Sequence, residues 1–323
     1  MIPIPTLREE LLTRRRQLLR SGVDTGPLRT EIARLLSEVD AALERMDSGA
    51  FGLCETCHEP IEADRLLADP LTRFCLDHLT AAEQRGLEQD LELAARVQHA
   101  LLAPLGAAVE GWEIAHHYRP AGPVSGDYCD LIRGERGDVY FVLGDVAGKG
   151  VAAAMLMSHL SATLRTLASV GLPLPEMVER ASRVFCESTL PMHYATLVCC
   201  RGTASGEIEV CNAGHPPPLL VSAGEVTALG ATGVPVGLFC ASNFQSVMVR
   251  FGPGDVLLLY TDGLIEAENA EGADYGTERL RSLAESTRCS PGALIDACIR
   301  DVTTFHGGSR LEDDLTLLAV TRQ

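Results

Sequence analysis

SGDYCDLIRGERGDVYFVLGDVAGKG, residues 125–150, is an apolar hairpin with a carboxylate at each of its open ends. Two runs rich in β-branched and aromatic residues flank the turn-forming RGERGD, which is centred on residue 136. Antiparallel pairing about that centre sets Asp127 opposite Asp145, since each lies nine residues from it. Like charges directly opposed destabilise a sheet, so something must compensate them. A divalent cation is the economical answer.

The pattern recurs downstream. GDVLLLYTDGLIEA, residues 254–267, is an apolar strand ending at Asp262-Gly263, and LEDDLTLLAV, residues 311–320, is an apolar strand beginning at Asp313-Asp314. If those strands pair antiparallel, Asp262 and Asp313 share one end. Read singly, each aspartate is an ordinary turn or cap residue. Four of them at strand ends form a donor set of hard oxygens that suits Mg²⁺ or Mn²⁺ better than zinc. Glycines near Asp145 and Asp262 let the main chain approach an ion closely, so a peptide carbonyl there is a further candidate ligand.

Composition narrows the function classes. The chain has 323 residues, 46% of them hydrophobic, enough for one large domain plus a small one or for two medium ones. No apolar stretch approaches the ~20 residues that span a bilayer. The start, MIPIPTLREELLTRRRQ, has no signal-peptide core, so a cytoplasmic protein that spans no membrane is expected. A net charge of −17 argues against nucleic acid as the ligand. A reducing compartment makes the 11 cysteines core fillers or metal ligands, not disulfides.

From residue 109 onward, strands alternate with a few helices and many glycine turns. Strands are expected at 112–119, 127–133, 138–144, 194–201, 206–211, 217–221, 246–251, 255–260 and 315–321, with helices at 151–169, 174–188, 276–287 and 291–305. Short connections imply antiparallel pairing, and the fold class is α+β.

Ahead of this region, apolar spacing predicts a helical hairpin around the turn SGVDTGP, residues 21–27. Cys54-x2-Cys57 and Cys75-x2-His78 then supply two ligand pairs, the spacing of a closed tetrahedral Zn²⁺ site. His58 competes with His78 as fourth ligand but sits awkwardly beside Cys57. Residues 81–108 carry an amphipathic helix, with Leu87, Leu91, Ala94 or Ala95, Gln98 and Leu101 or Leu102 on one face, stopped by Pro104. It reads either as a linker packing on the next domain or as a homodimerising helix through residues 83–103. The division is therefore 1–80, 81–108 and 109–323.

Two resemblances follow from these motifs. ALERMDSGAFGLCETCHEPIEADRLLADPLTRFC resembles the DksA/TraR zinc-finger regulators, with His78 in place of the fourth cysteine and His58 in place of a glycine. Members of that family act on RNA polymerase through acidic residues at a long coiled-coil tip. The tip here offers only Asp24, so a recruited scaffold is the expectation and an RNA-polymerase-binding transcription regulator the alternative. SGDYCD, GDVAGKG, CNAGHPPPLL, GVPVGL, YTDGLIEA and EDDLTLLAV, in that order, resemble the bacterial PPM (protein phosphatase 2C-like) phosphatases of the RsbU and stage II sporulation type, and LAARVQHALLAP resembles the helix that precedes such domains.

The second resemblance implies a β-sandwich flanked by α-helices and a two-metal site of Mn²⁺ or Mg²⁺. Asp145 would bridge both ions and the Val146 carbonyl would bind one of them. Asp127 would hold the second ion, and Asp262 and Asp313 the first. It further implies hydrolysis of phosphoserine or phosphothreonine, with a STAS-type anti-sigma-factor antagonist as substrate. No cysteine reads as a phosphatase nucleophile, because Cys129 lacks a glycine-rich, arginine-ended loop. His215 reads as a general acid or, preferably, as a structural hydrogen-bonding residue. Lys149, the chain's one lysine, reads as a phosphate contact or an exposed loop residue.

Overall fold

A computed structural model describes residues 4–20, 27–79, 81–102, 109, 111–134, 137–189, 193–203, 206–252, 254–287, 290–307 and 313–323. They form two compact units, Met1–Asp90 and Leu91–Gln323.

In the first unit, helices α1 (Ile4–Arg20) and α2 (Pro27–Asp47) run antiparallel. Two ion pairs set the direction, Arg8 with Asp47 at 2.8 Å and Arg15 with Asp40 at 2.6 Å. Between the helices lie Leu11, Val39, Ala42 and Leu43, the stripe that helical spacing predicts. The turn at 21–26, with Asp24, lies outside the described residues. A knuckled segment follows, containing the short helix α3 (Ala63–Ala68) and a single 3₁₀ turn at Leu76–His78.

The second unit begins within helix α4 (Ala81–Leu101) and holds two five-stranded antiparallel sheets. One sheet has the order β1 (Trp112–Arg119), β10 (Leu315–Arg322), β9 (Val256–Tyr260), β6 (Leu219–Ser222), β7 (Glu225–Ala228). The other has the order β2 (Asp127–Arg133), β3 (Val139–Val146), β4 (Ala195–Gly202), β5 (Glu207–Ala213), β8 (Val247–Arg250). Helices α5 (Gly150–Ala168) and α6 (Leu174–Ser188) cover the second sheet, and α8 (Thr277–Ser286) and α9 (Pro291–His306) cover the first. No helix is long and apolar enough among the described residues to cross a membrane.

Each central strand is buried on both faces, which is why β3 reads VYFVLGD without polar alternation. Phe141 and Leu143 enter the core between the sheets, whereas Tyr140 and Val142 meet α5 and α6. Cys199 and Cys200 divide in the same way, one to each core. The nine expected strands are present within a few residues of their expected ends. β7, α3 and a four-residue helix α7 (Asp262–Ile265) were not legible, all being too short to show a period.

One expectation is corrected. Cys186 and Cys240 form a disulfide, so not every cysteine is a free thiol or a metal ligand. The last turn of α6 faces the loop after Gly237, and the two Cα atoms lie 5.3 Å apart. A separation of 54 residues left no spacing signal for the pair.

The same alternation turns the two aspartates of SGDYCD to opposite faces of β2. Asp130, fully buried, accepts from Tyr128 Oη at 2.6 Å and from Arg165 Nε and Nη2 at 2.7 and 2.8 Å. Arg165, on α5, also donates to the Leu101 carbonyl at 3.1 Å, tying α4 to the sheet. Arg165→Met strands a buried carboxylate. The expected cost is about 2–3 kcal/mol, below that of a fully buried pair because the arginine is 43% exposed; urea unfolding is the measurement.

Candidate functional site

β2 and β3 pair in the register that sets Asp127 opposite Asp145. Asp127 is only 1% exposed. Its Oδ2 accepts from two buried hydroxyls of the facing sheet, Thr261 Oγ1 at 3.1 Å and Thr316 Oγ1. Burial first, then the Asp145 charge, pushes the Asp127 carboxyl well above the carboxylate range, against the pull of the threonines. Asp145 is pushed up to about 7 by burial and by Asp262, Asp313 and Asp314, with Lys149 opposing.

β9 and β10 pair antiparallel, so Asp262, opening α7, and Asp313, just ahead of β10, lie at one end of their sheet. Asp262 is raised by burial and then by Asp313. Lys149 Nζ lies 2.9 Å from Asp313 Oδ2. The lysine is exposed and pairs with a candidate ligand.

The oxygens do not close on a single point. Among the described residues, the one set of three or more metal-ligating atoms within 4.8 Å of one another is the Cys54, Cys57, Cys75 and His78 cluster. Two ions held 3.5–4 Å apart would spread their ligands over about that much more space. Fit to a hard-cation centre rests on two observations. The carboxyls of Asp127, Asp145 and Asp262 are raised by burial and then by neighbouring carboxylates, the condition that a divalent charge relieves. A Cβ placed on Gly126 would lie 3.1 Å from the Val146 carbonyl oxygen and 3.2 Å from Asp145 Oδ1, so the glycine leaves both oxygens uncovered.

Asp314, the neighbour of Asp313, has a different task that sequence reasoning missed. Its Oδ1 accepts from Ala121 N at 2.7 Å, and its Oδ2 accepts from Ser125 Oγ at 2.6 Å and Gly126 N at 3.0 Å. It shapes the loop ahead of Asp127. The signal was the doubled aspartate, since adjacent residues entering a strand point to opposite sides. Thr261 and Thr316, inside quoted motifs, were passed over because a threonine at a strand end carries no chemical signature.

His215 is structural. Its Nδ1 lies 2.8 Å from Thr196 Oγ1, its backbone N–H donates to Asn212 Oδ1 at 2.9 Å, and burial pushes its imidazole down to about 3. A neutral imidazole keeps one N–H but is far too weak an acid to take the imidazolium's part as a general acid near neutral pH.

In the first unit, Cys57 Sγ lies 3.8 Å from Cys75 Sγ, and Cys75 Sγ lies 3.2 Å from His78 Nδ1. A tetrahedral ion with metal–sulfur bonds of about 2.3 Å has sulfurs about 3.8 Å apart, so the cluster fits. Burial works against ionising Cys54, but backbone N–H groups of the knuckle outweigh it and bring the thiol down to about 6. His58 is not in the cluster; it stands at φ +61°, the left-handed conformation that a glycine would adopt without strain.

With this geometry established, residues 135–323 match the family described as stage II sporulation protein E (SpoIIE), more than half of the chain. The chain belongs to the stage II sporulation protein E family. Residues 49–77 match the prokaryotic dksA/traR C4-type zinc finger, and the match stops one residue short of His78.

Phosphoserine phosphatase RsbU of Bacillus subtilis is similar at 25% identity over 247 residues, covering 74% of this chain and 72% of that protein. Protein IcfG of Synechocystis sp. is 27% identical over 264 residues, and the match spans 72% of this chain but 41% of IcfG. Among solved structures, the RsbU and RsbW domains of Rv1364c from Mycobacterium tuberculosis superpose with a TM-score of 0.56 at 33% identity, covering 67% of this chain and 61% of that one. The sandwich is thus of the PPM type, and its candidate carboxylates lie at one end of the two sheets.

The raised carboxyls give this centre a pH dependence with a definite sign. Asp145 holds a proton up to about pH 7 in the metal-free fold but sheds it near the ordinary 3.8 when unfolded. The native state therefore binds more protons across that interval, and metal-free stability falls as pH rises through it. The depressed imidazoles of His116, His117 and His215 oppose this below about pH 6.5, and the depressed Cys54 thiol of the first unit opposes it above about pH 6. The carboxyls are therefore read in the transition of the unit Leu91–Gln323 over about pH 6.5–8. The melting temperature of that unit, metal-free, is expected to drop across this interval. Mn²⁺ binding is expected to release protons near pH 6.5 and fewer near pH 8, as read by calorimetry in buffers of different ionisation enthalpy.

Proposed function

We propose that this protein is a metal-dependent serine/threonine phosphatase. The observation that carries the reading is the Asp127–Asp145 pair across β2 and β3, with Asp262 and Asp313 at the adjoining sheet end, in a SpoIIE-family chain. Asp127, Asp145, the Val146 carbonyl, Asp262 and Asp313 would hold two Mn²⁺ or Mg²⁺ ions. When bound, such a pair supplies an activated water and neutralises charge on the phosphoryl oxygens.

The protein's own part is positional. Thr261 and Thr316 fix the Asp127 carboxyl, Asp314 shapes the loop before it, and Gly126 keeps the Val146 and Asp145 oxygens open. No thiol of the sandwich core competes as nucleophile, since burial pushes Cys129, Cys199, Cys200 and Cys211 upward. Water is thus the attacking group in this reading, and no covalent phosphoenzyme forms.

The substrate would be a phosphoserine or phosphothreonine on a STAS-type anti-sigma-factor antagonist. Two relatives, RsbU and RsbP of Bacillus subtilis, are named phosphoserine phosphatases, and the Mycobacterium tuberculosis structure joins an RsbU domain to an RsbW domain. Residues 1–80 would be a zinc-finger module, with Zn²⁺ on Cys54, Cys57, Cys75 and His78, and 81–108 a signalling helix ahead of the phosphatase domain at 109–323. Leu93 and Val97, one turn apart, remain exposed on α4 and would be the pairing face for a second copy. Leu93→Glu with Val97→Glu would then give a monomer by light scattering where the parent chain gives a dimer.

The substrate reading is tested by offering phosphoserine- and phosphotyrosine-bearing forms of one STAS-domain protein in the presence of Mn²⁺. Release of phosphate from the phosphoserine form alone supports the reading. Equal release from both, or from neither while a phosphoserine peptide is hydrolysed, would overturn the substrate assignment.

A further inference from the structure

Gln98 stands in the middle of the α4 stripe that otherwise carries leucine and alanine. It is 5% exposed, and a buried amide is costly unless its donor and acceptor are both satisfied. Both are satisfied by the main chain of one residue 27 positions on. Gln98 Nε2 donates to the Ser125 carbonyl at 2.6 Å, and Ser125 N donates to Gln98 Oε1 at 3.0 Å. The side chain thus grips Ser125 as a neighbouring strand would, by one N–H and one C=O.

Ser125 is also held through its hydroxyl. Its Oγ donates to Asp314 Oδ2 at 2.6 Å and accepts from Asp127 N at 3.0 Å. Gly126, the next residue, donates to the same Asp314 oxygen and accepts from Val146 N at 3.2 Å. Gln98 therefore stands one residue away from the Asp127 backbone and from the glycine that leaves the Val146 and Asp145 oxygens uncovered. It also lies outside residues 135–323, the stretch matched to the SpoIIE family.

We propose that Gln98 is a positioning residue for the carboxylate centre. It fixes the Ser125 main chain, and through it the placement of Asp127 and Gly126 against Asp145 and Val146. A satisfied amide in a helix stripe also has a plain packing role; that role would move stability alone. What points further is that both bonds fall on Ser125, whose hydroxyl touches Asp127 directly. Outer partners that orient metal ligands are worth about 10- to 100-fold in metal affinity when removed. The inference rests on the phosphatase reading and concerns the same centre.

The test compares the zinc-loaded full chain with its Gln98→Met and Leu91→Ala variants, the first keeping the shape of the side chain without its hydrogen bonds. Mn²⁺ dissociation constants are read by calorimetry, together with melting temperature and the KM and kcat for a phosphoserine peptide at several Mn²⁺ concentrations. The expected result is a Mn²⁺ affinity about 10- to 100-fold weaker for Gln98→Met, with KM for the peptide unchanged and kcat recovering as Mn²⁺ is raised. Leu91→Ala, on the same helix, should lower the melting temperature and leave Mn²⁺ affinity within about twofold. Should Gln98→Met fail to fold, Gln98→Glu replaces it, since it keeps the acceptor for Ser125 N and loses the donor to the carbonyl.

A Gln98 variant that changes only the melting temperature would overturn the proposal and leave the phosphatase reading intact. A parent chain that binds no Mn²⁺ would overturn both.

Discussion

Asp145→Asn is expected to lower phosphoserine hydrolysis by roughly 10³-fold, the scale at which single electrostatic groups act in a preorganised site. The substitution keeps the shape of the side chain and removes one charge from a cluster whose members raise one another. Asp145 faces Asp127 across the hairpin and responds to the charges of Asp262, Asp313 and Asp314. In the proposed reading Asp145 would hold a divalent cation, and an amide there binds one far more weakly than a carboxylate, so Mn²⁺ affinity should fall with activity. Stability should move the other way. The proton that Asp145 gains on folding near pH 7 marks an unfavourable charge, and Asn removes it, so the metal-free variant should melt above the metal-free parent at about pH 8. Loss of activity together with a raised melting temperature separates a missing ligand from a damaged fold.

Serine at Cys54 or Cys75 is the second large effect. The four ligand atoms of the knuckle lie within 4.8 Å of one another, and the core around them is small: Cys54, Ile61, Leu66 and Cys75, with Phe51 and Phe74 at its edge. A core of that size is not expected to hold a fold without its ion. Structural zinc sites contribute apparent free energies of about 10–16 kcal/mol near neutral pH, and that energy is folding energy. Residues 50–79 should therefore become protease-sensitive in either variant and lose their dispersed amide resonances, and chelation of the parent chain should do the same. The unit Leu91–Gln323 has its own three buried cores and should keep its cooperative transition.

Much of this architecture was legible because long, strongly patterned elements set it. The hairpin register could be counted from the sequence, since RGERGD centres it and a one-residue slip would turn every side chain to the wrong face. The ligand pairs of the knuckle were legible because their spacing is local. What stayed hidden depends on contacts distant in sequence. The disulfide links positions 54 residues apart with no repeating pattern. Asp130 shares the quoted SGDYCD with Asp127, yet strand alternation turns it toward α5 and Arg165. Thr261 and Thr316 reach Asp127 from the opposite sheet, and Gln98 reaches Ser125 from a helix outside the sandwich. Polar groups that act by holding others carry no chemical signature of their own even inside a motif, because any residue with the right hydrogen-bonding atoms could stand there.

The most direct measurement of the central claim is phosphate release from a phosphoserine peptide by the full chain, stripped of divalent cations and then titrated with Mn²⁺. The account predicts no turnover in the stripped protein, turnover that rises and saturates with Mn²⁺, and loss again on chelation. A folded chain with its zinc finger intact that releases no phosphate at any Mn²⁺ concentration, or releases it equally without divalent cations, would contradict it.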